Sequence, residues 1–325
     1  MNLWLIILLA VVQGLLEWLP VSSEGQLILI LNWLGESETA LSIALFLHLG
    51  TMLAVIIKFR KDFLLLFNYR LSKEKAEKIE EEELEAAETK NLKADPKEKN
   101  SEKESSNSIL IQKEQQKQLW KFLLWSTLMT TIVGVPLFIL VRFALEEGAL
   151  LEIAGGVMNS GDIITMAIGL FLIITGIFII FSRKRIEEKP LLEMNTKEMI
   201  LVGIAQGITI IPGVSRSGTT VGTMLLEGID EQEALRGSFL LSVPAILGAN
   251  ILTVFIDVIQ GELSFGGIPW YGIILGIAVS AIVGYLTIDA LLWIARKVNF
   301  GIFCIIIGSL ALLITVIIIL LNVTT

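Results

Sequence analysis

The chain has 325 residues, of which 54% are hydrophobic, and its formal net charge is −8. So much apolar surface excludes a soluble globular protein and indicates an integral membrane protein made of helices. One histidine and one cysteine exclude a zinc site of the usual spacing and a disulfide framework, and the acidic balance argues against a nucleic-acid partner.

Two of the apolar stretches are interrupted by short polar loops. Residues 3–19 and 27–34 flank the loop LPVSSEGQ, and residues 198–211 and 218–227 flank the loop PGVSRSG. A helix needs about 20 residues to cross the hydrocarbon core, and the second stretch of each pair is far shorter. We therefore expect two re-entrant hairpins, each entering and leaving on one side, with their irregular backbone buried in protein or lining a wet cavity.

Six uninterrupted stretches are long enough to span the membrane, at about 39–58, 119–143, 161–182, 236–256, 270–294 and 299–322. Between the first two lies a charged insertion, residues 70–118, which holds 24 of the chain's 58 charged residues. Its composition predicts a helix-prone Glu/Lys stretch followed by a disordered polar linker at about 91–108. The insertion either has no chemical role or docks a partner.

Both hairpins show the same spacing of small and polar residues: Gln13-Gly14, Ser22 and Gly25 in the first, and Gln206-Gly207, Ser215 and Gly218 in the second. Three spans follow each hairpin, so the second copy must be inverted relative to the first. The predicted fold is thus all-α, an inverted-topology repeat with six spans and two re-entrant hairpins. It forms a single membrane domain, residues 1–325, with repeat one at about 1–182 and repeat two at about 196–325.

The loop charges predict the orientation of this multi-pass protein in the cell membrane. Twelve Lys/Arg residues, from Lys58 to Lys297, fall on one face, and only Arg142 falls on the other. Because positive loops face the cytoplasm, the 70–118 insertion should be cytoplasmic and both termini external. The hairpins would then enter from opposite sides, and their tips would meet near the midplane.

Three charged residues lie in or beside the two hairpin loops: Glu17, Glu24 and Arg216. A charged side chain within an apolar helix is energetically unfavourable in the membrane, so its presence there indicates a partner or a function. Arg216 could merely neutralise a glutamate, but that does not explain the hydroxyl groups around it. Arginine, glycines and hydroxyls at a helix N-terminus suit an anionic group with several oxygens, such as phosphate. Besides Arg216, the candidates are the hydroxyl residues Ser22, Ser23, Ser215, Ser217, Thr219 and Thr220.

The two loops also resemble the signatures of a known family. Gln13-Gly-Leu-Leu-Glu17-Trp-Leu-Pro-Val-Ser-Ser-Glu-Gly25 and Pro212-Gly-Val-Ser-Arg-Ser-Gly-Thr-Thr220 are similar to the two motifs of the undecaprenyl-diphosphate phosphatase family of the bacitracin-resistance type. The stretches His48-Leu-Gly-Thr51 and Ser238–Pro244 also match, so the resemblance spans the chain apart from the insertion.

This resemblance implies an enzyme that hydrolyses a polyprenyl, undecaprenyl-type diphosphate to the monophosphate and inorganic phosphate, and so recycles the lipid carrier for cell-envelope glycan synthesis. The family's site opens to the outer face and often depends on a divalent cation, which here would be Mg²⁺ or Ca²⁺. Partners would be the lipid substrate and membrane lipid, and a homodimer stays open.

The resemblance also implies roles for particular residues. Glu17 would be the general base or a metal ligand, with Gln13 as its neutral partner. Ser23 would be a nucleophile that forms a phosphoserine, unless water activated by Glu17 attacks directly. Arg216 would stabilise charge on the transferring phosphate. The remaining substrate-binding positions would be Ser22, Gly25, Gln26, Gly213, Ser215, Ser217 and Thr220.

Two positions depart from the family pattern. Many members have histidine where this chain has Gln26, and glutamine cannot donate a proton as a general acid. Glu24 replaces a residue that is commonly small. His48, the only histidine, is then either a hydrogen-bonding strut or the proton carrier. The alternative to hydrolysis is a polyprenyl-phosphate flippase or anion transporter built on the same inverted repeat.

Overall fold

The computed structural model describes residues 2–35, 40–67, 96–146, 160–183, 189–260 and 268–324. These residues form helices, apart from an isolated β-bridge between Lys189 and Ile229. The helices are α1 (Leu3–Leu16), α2 (Ser23–Trp33), α3 (Ala40–Lys58), α4 (Arg60–Phe67), α5 (Pro96–Glu146), α6 (Ser160–Ser182), a short 3₁₀ helix (Leu191–Glu193), α7 (Thr196–Ile208), α8 (Arg216–Leu226), α9 (Glu231–Gln260), α10 (Trp270–Lys297) and α11 (Phe300–Thr324).

Five of these helices are long and apolar enough to cross a membrane, namely α5, α6, α9, α10 and α11. Large apolar side chains cover their outer faces, and Ile251 and Leu286 are 67% and 72% exposed. Apolar side chains on the outer surface match a lipid environment, where their exposure carries no free-energy penalty because lipid tails are equally apolar. The chain is therefore a multi-pass helical membrane protein.

The first predicted span, at about 39–58, corresponds to α3, and the chain bends directly after it. α3 and α4 meet at 78° around Phe59 and qualify as a sixth span only when taken together. Arg60 and Asp62 at the start of α4 explain the bend, because charged residues cannot continue along the apolar path of α3. Asp62 instead forms an ion pair with Arg236 at the start of α9.

The predicted disordered linker at about 91–108 is wrong for the residues from Pro96 onward. They belong to α5, which runs without a break from Pro96 into the span Leu110–Val141. Lys, Glu and Gln are good helix formers, and proline is tolerated at the first helical position. An apolar span that is already helical also removes the cost of nucleating the polar turns that precede it. The earlier part of the insertion lies outside the described residues.

Both predicted interruptions are present. α1 and α2 have 14 and 11 residues, and α7 and α8 have 13 and 11, so each is too short to cross about 30 Å of hydrocarbon. α1 packs on α10 and α7 packs on α5, which holds each pair between long helices. The breaks at 17–22 and 209–215 are the parts of the fold that position the candidate site.

Close glycine contacts join the halves of the fold. Gly169 and Gly176 of α6 lie against Gly308 and Gly301 of α11, respectively, so these two helices run antiparallel. A Cβ on Gly169 would lie 2.8 Å from the carbonyl oxygen of Gly308, so the backbones approach more closely than any larger residue allows.

Apolar side chains fill the interior around the hairpins in two clusters. Trp18, directly after the first hairpin's acid, is fully buried and makes an edge-on contact with Phe239 of α9, with ring centroids 5.4 Å apart. The second cluster joins Leu27 of α2 to Ile168 and Leu172 of α6. Packing on both sides therefore fixes the positions of the two breaks relative to the long helices.

Candidate active site

The break between α1 and α2 places a carboxylate and two serines at one tip. Glu17 directly follows α1, and Ser23 is the first residue of α2. Ser22 caps α2 from a left-handed backbone conformation, with φ of 55°, and its Oγ accepts a hydrogen bond from the N–H of Gly25 at 3.3 Å. Among the described residues no other non-glycine has a positive φ. Such strain is concentrated at functional sites.

The break between α7 and α8 has a related arrangement. Ser215 caps α8 by accepting a hydrogen bond from the N–H of Gly218 at 3.1 Å, and Arg216 is the first residue of the helix. In both breaks, then, a serine caps the second helix and the next residue, Ser23 or Arg216, starts it. The first turns of α2 and α8 offer the unpaired N–H groups that favour anions.

The two tips touch each other through polar groups. The guanidinium of Arg216 forms an ion pair with Glu17 Oε1, and Ser217 Oγ donates to the carbonyl of Leu19 at 3.1 Å. Residues about 200 positions apart in the sequence therefore meet in one site.

Glu17 is the centre of this site and is only 6% exposed. Its Oε2 accepts hydrogen bonds from Gln13 Nε2 and Ser23 Oγ, both at 2.8 Å, and lies 3.3 Å from His48 Nε2. With Arg216 on Oε1, the carboxylate has partners on both oxygens. A buried charge needs this degree of satisfaction to be tolerated.

His48 links Glu17 to the serine. Its Nδ1 lies 2.6 Å from the carbonyl oxygen of Ala44, which can only accept, so Nδ1 carries a hydrogen. Its Nε2 lies 3.5 Å from Ser23 Oγ. A neutral imidazole would accept the serine proton at Nε2, and a protonated one would donate to Glu17. The ring is thus placed to carry a proton between these two side chains.

A cavity of about 220 Å³ opens beside this constellation. The polar and charged residues of the two tips and α3 that line it are Glu17, Ser22, Ser23, Glu24, His48, Ser215, Arg216 and Ser217. Its apolar wall comes from α3, α5 and α9 and includes Leu45, Val135, Phe138, Val141, Ile246 and Leu252. The arrangement can hold an anionic head group at one end and an apolar chain along the other.

Some predicted site residues do not line this cavity. Gln13 lies behind Glu17, and Gln26 turns its amide to the carbonyl of Val21, with Nε2 and the oxygen 3.3 Å apart. Gln26 therefore does not occupy the position of a proton donor. Gln13 orients the carboxylate instead of touching a ligand.

Three further predicted residues serve the packing of the tips. A Cβ on Gly25 would lie 3.3 Å from the Cα of Gly213, so the two glycines let the tips approach. Gly213 has φ of +97°, and a Cβ there would lie 2.7 Å from the Cα of Ile168. Thr220 is fully buried and shares a hydrogen bond of 2.6 Å with Ser238, which anchors α8 to α9.

The cavity also contains polar residues that no motif pointed to. Thr127, Thr130 and Thr131 of α5 and Gln206 of α7 line it, and Gln206 Nε2 donates to Thr130 Oγ1 at 3.0 Å. Gln206 Oε1 and Thr127 Oγ1 have no hydrogen-bond partner in the described part of the chain. The only signal for Gln206 was its match to Gln13 in the repeat, and the threonines alone resemble ordinary packing residues.

A buried ion pair, hydroxyl groups and an apolar wall in one intramembrane cavity are typical of membrane proteins that bind an anionic amphiphile. Comparison with known families specifies the class. Residues 6–312 match the family described as bacitracin resistance protein BacA. The chain belongs to this family.

Its relatives carry a consistent name. Proteins named undecaprenyl-diphosphatase from Methanothrix thermoacetophila and Methanococcoides burtonii are 35% and 34% identical, over 95% and 94% of this chain and 95% and 96% of their own lengths. A third, from Methanopyrus kandleri, is 30% identical over 96% of both chains. The match therefore extends over whole proteins and not over a shared segment.

Proposed function

We propose that this chain is an undecaprenyl-diphosphatase, an enzyme that hydrolyses a polyprenyl diphosphate to the monophosphate and inorganic phosphate. The observation that carries the mechanism is the contact of Glu17 with Ser23, His48 and Arg216 at the polar end of the cavity. Family membership and the names of the relatives support the reaction. In the cell, this reaction would recycle the lipid carrier of envelope glycan synthesis.

Ser23 is the proposed nucleophile. Its Oγ would attack the terminal phosphorus and lose its proton to His48 Nε2, while the bond from that phosphorus to the bridging oxygen breaks and the polyprenyl monophosphate leaves. Water would then attack the phosphoserine and give its proton to Glu17, while the bond from Ser23 Oγ to phosphorus breaks, His48 returns its proton to Ser23 Oγ and inorganic phosphate is released. Direct attack by water activated by Glu17 stays open, and trapping of a phosphorylated Ser23 after acid quench would distinguish the two.

Arg216 is the proposed anchor of the phosphate. In the free site its guanidinium pairs with Glu17, and a substrate oxygen would share or replace that partner. Ser215, whose Oγ lies 3.4 Å from Ser217 Oγ, would donate to a further phosphate oxygen, and Ser217 would do so by exchanging its hydrogen bond to Leu19 for one to phosphate. Donors that the fold already holds in position stabilise the charge that develops during transfer more strongly than water does, because they need not reorient during the reaction.

A divalent cation, Mg²⁺ or Ca²⁺, is the cofactor that the family resemblance implies. Its preferred ligands are oxygens, and Glu17 and Glu24 both line the cavity. The described residues contain no cluster of three His, Cys, Asp or Glu that could enclose a metal by themselves. This fits a cation held by one or two carboxylates together with substrate phosphate oxygens. When bound, it would neutralise phosphate charge.

The apolar wall between α5 and α9 is the proposed path of the prenyl chain. Phe138 and Val141 of α5 and Leu252 of α9 line the same cavity as the ionic residues. A lipid whose head group sits at Arg216 could extend its first isoprene units along this wall and keep the remainder in the bilayer. Burial of apolar groups would stabilise the complex by about 0.8 kcal/mol per CH₂.

The inverted repeat belongs to the same proposal, and matched contacts support it. Gly14 of α1 lies against Val283 of α10, and Gly207 of α7 lies against Val133 of α5, with the added Cβ at 2.9 and 2.7 Å from the valine Cβ atoms. Each first hairpin helix thus packs on the second long span of the other repeat. The antiparallel pair of α6 and α11 is what a twofold axis in the membrane plane would produce.

The proposed orientation has both termini outside the cell membrane and the 70–118 insertion inside. Ion pairs tie together helix ends on the face proposed to be cytoplasmic: Lys58 with Asp289, Asp62 with Arg236, and Arg183 with Glu231. Polar pairs of this kind suit an aqueous boundary, which supports placing these helix ends on one side.

The deciding experiment is phosphate release from long and short polyprenyl diphosphates by the purified protein, with Glu17→Gln and Arg216→Ala as variants. We expect turnover by the wild type and a loss of about 100-fold or more in each variant. Turnover at the wild-type rate in both variants would contradict the site assignment. No turnover together with accelerated lipid scrambling in vesicles would instead support the flippase, which no observation here favours over hydrolysis.

A further inference from the structure

A phosphate group that entered the cavity would lie beside a second carboxylate. Glu17, Glu24 and Arg216 are the charged residues that line the cavity, with His48 as a further titratable group. Arg216 pairs with Glu17, so Glu24 has no guanidinium partner among the described residues. A terminal phosphate carries about −1.5 to −2 at pH 7. A divalent cation between the phosphate and Glu24 would attract both groups and offset the repulsion between them.

The two carboxylates differ in their freedom to bind that cation. Both carboxylate oxygens of Glu17 already have partners, since they accept hydrogen bonds from Gln13 and Ser23 and pair with Arg216. Glu24 lies in the first turn of α2, lines the cavity and makes no hydrogen bond or ion pair with any other described residue. Binding at Glu24 would break no existing contact, whereas full ligation by Glu17 would take that carboxylate from its partners.

A second, independent observation points to a ligand that donates hydrogen bonds. Gln206 is only 2% exposed, lines the same cavity and has no partner for Oε1. Its amide orientation is fixed, because Nε2 donates to Thr130 Oγ1, whose own hydrogen goes to the carbonyl of Ser126 at 2.8 Å. Ionised phosphate oxygens only accept, so they cannot satisfy Oε1. The water shell of a hydrated cation can.

We propose that Glu24 binds a hydrated divalent cation, and that Gln206 accepts a hydrogen bond from one of its waters. The inference rests on the proposed function, since substrate oxygens complete the coordination. Mg²⁺ commonly uses one or two carboxylates, substrate phosphates and several waters, which is the set that this cavity offers. Glu17 then stays with Ser23 and His48, and the two glutamates have separate roles.

The test measures cation binding without turnover. Mn²⁺ is titrated into the purified full-length protein together with a non-hydrolysable methylene-bridged polyprenyl diphosphonate, and free Mn²⁺ is followed by electron paramagnetic resonance. We expect Glu24→Gln to weaken Mn²⁺ binding by about tenfold or more and Gln206→Leu to weaken it several-fold. Glu193→Gln, at an exposed glutamate of the 3₁₀ helix, is the matched control and should bind like the wild type.

Glu24→Asp keeps a carboxylate and should recover part of the affinity that Glu24→Gln loses, which a merely structural role would not predict. The inference is overturned if Glu24→Gln binds Mn²⁺ as the wild type does, if the Asp and Gln variants are equally weak, or if the wild type binds none. Failure of the proposed function shows separately, as absent phosphate release by a protein that still binds Mn²⁺ through Glu24.

Discussion

At the scale of single residues, the site depends on one carboxylate that joins four side chains. Glu17 contacts Gln13 of α1, Ser23 of α2, His48 of α3 and Arg216 of α8, so the second hairpin supplies one of its four partners. The sequence motifs identified most of these residues, because charges in apolar stretches are rare. Their mutual contacts could not be read from the motifs, since these fix spacing along the chain and not distances between loops.

His48→Ala should lower kcat/KM by about tenfold or more, because it removes the group that can accept the Ser23 proton. The measurement is phosphate release by the purified variant. Thr315→Ala is a suitable control, since Thr315 is also buried and polar but bonds only within α11. Normal turnover by His48→Ala would show that His48 takes no part in proton transfer and only connects Ala44 to the hairpin by hydrogen bonds.

The sequence did not identify, as site residues, the polar side chains that α5 and α7 contribute to the cavity. Thr127 and Thr130 carry no charge and match no motif, Gln206 stands out only by its match to Gln13 in the repeat, and threonine in a membrane helix usually bonds to its own backbone. Only the packing of α7 on α5 brings these side chains to the cavity. Their role depends on tertiary contacts, which a single sequence does not contain.

At the scale of elements, the two helix breaks are the features that the sequence predicted best. Apolar stretches that are too short to span the membrane and lie beside Pro, Gly and Ser predict interrupted helices. The bend between α3 and α4 was missed, because Lys58, Phe59 and Arg60 include no helix breaker. The helical start of α5 was missed for the opposite reason: a charged, polar segment reads as a linker until its continuity with the span is known.

Gly213→Ala should destabilise the folded protein by on the order of 2 kcal/mol, because alanine is strained at φ of +97° and its Cβ would overlap Ile168. Thermal unfolding in detergent would measure the change. Gly248→Ala is the matched control, since a Cβ at Gly248 meets nothing within 4 Å. Equal melting temperatures for the two variants would contradict the geometry of the second tip.

At the scale of the whole molecule, the account requires the two hairpins to enter from opposite sides. Cysteine labelling can test this in intact cells, after replacement of Cys304 by alanine. Asn2→Cys, before α1, should react with a membrane-impermeant maleimide at once. Lys197→Cys, in the first turn of α7, should react only after permeabilisation. Labelling of both sites from the same side would contradict the inverted arrangement.

The central claim is that two inverted hairpins form one hydrolytic site through Glu17 and Arg216. The most direct measurement is kcat/KM for phosphate release by the wild type, Glu17→Gln, Arg216→Gln and the double variant. Residues that act as a unit are not additive, so the double variant should lose no more than the worse single one. The account would be contradicted if the fold-losses in kcat/KM of the two single variants multiplied in the double variant. It would also be contradicted if neither single variant lost activity.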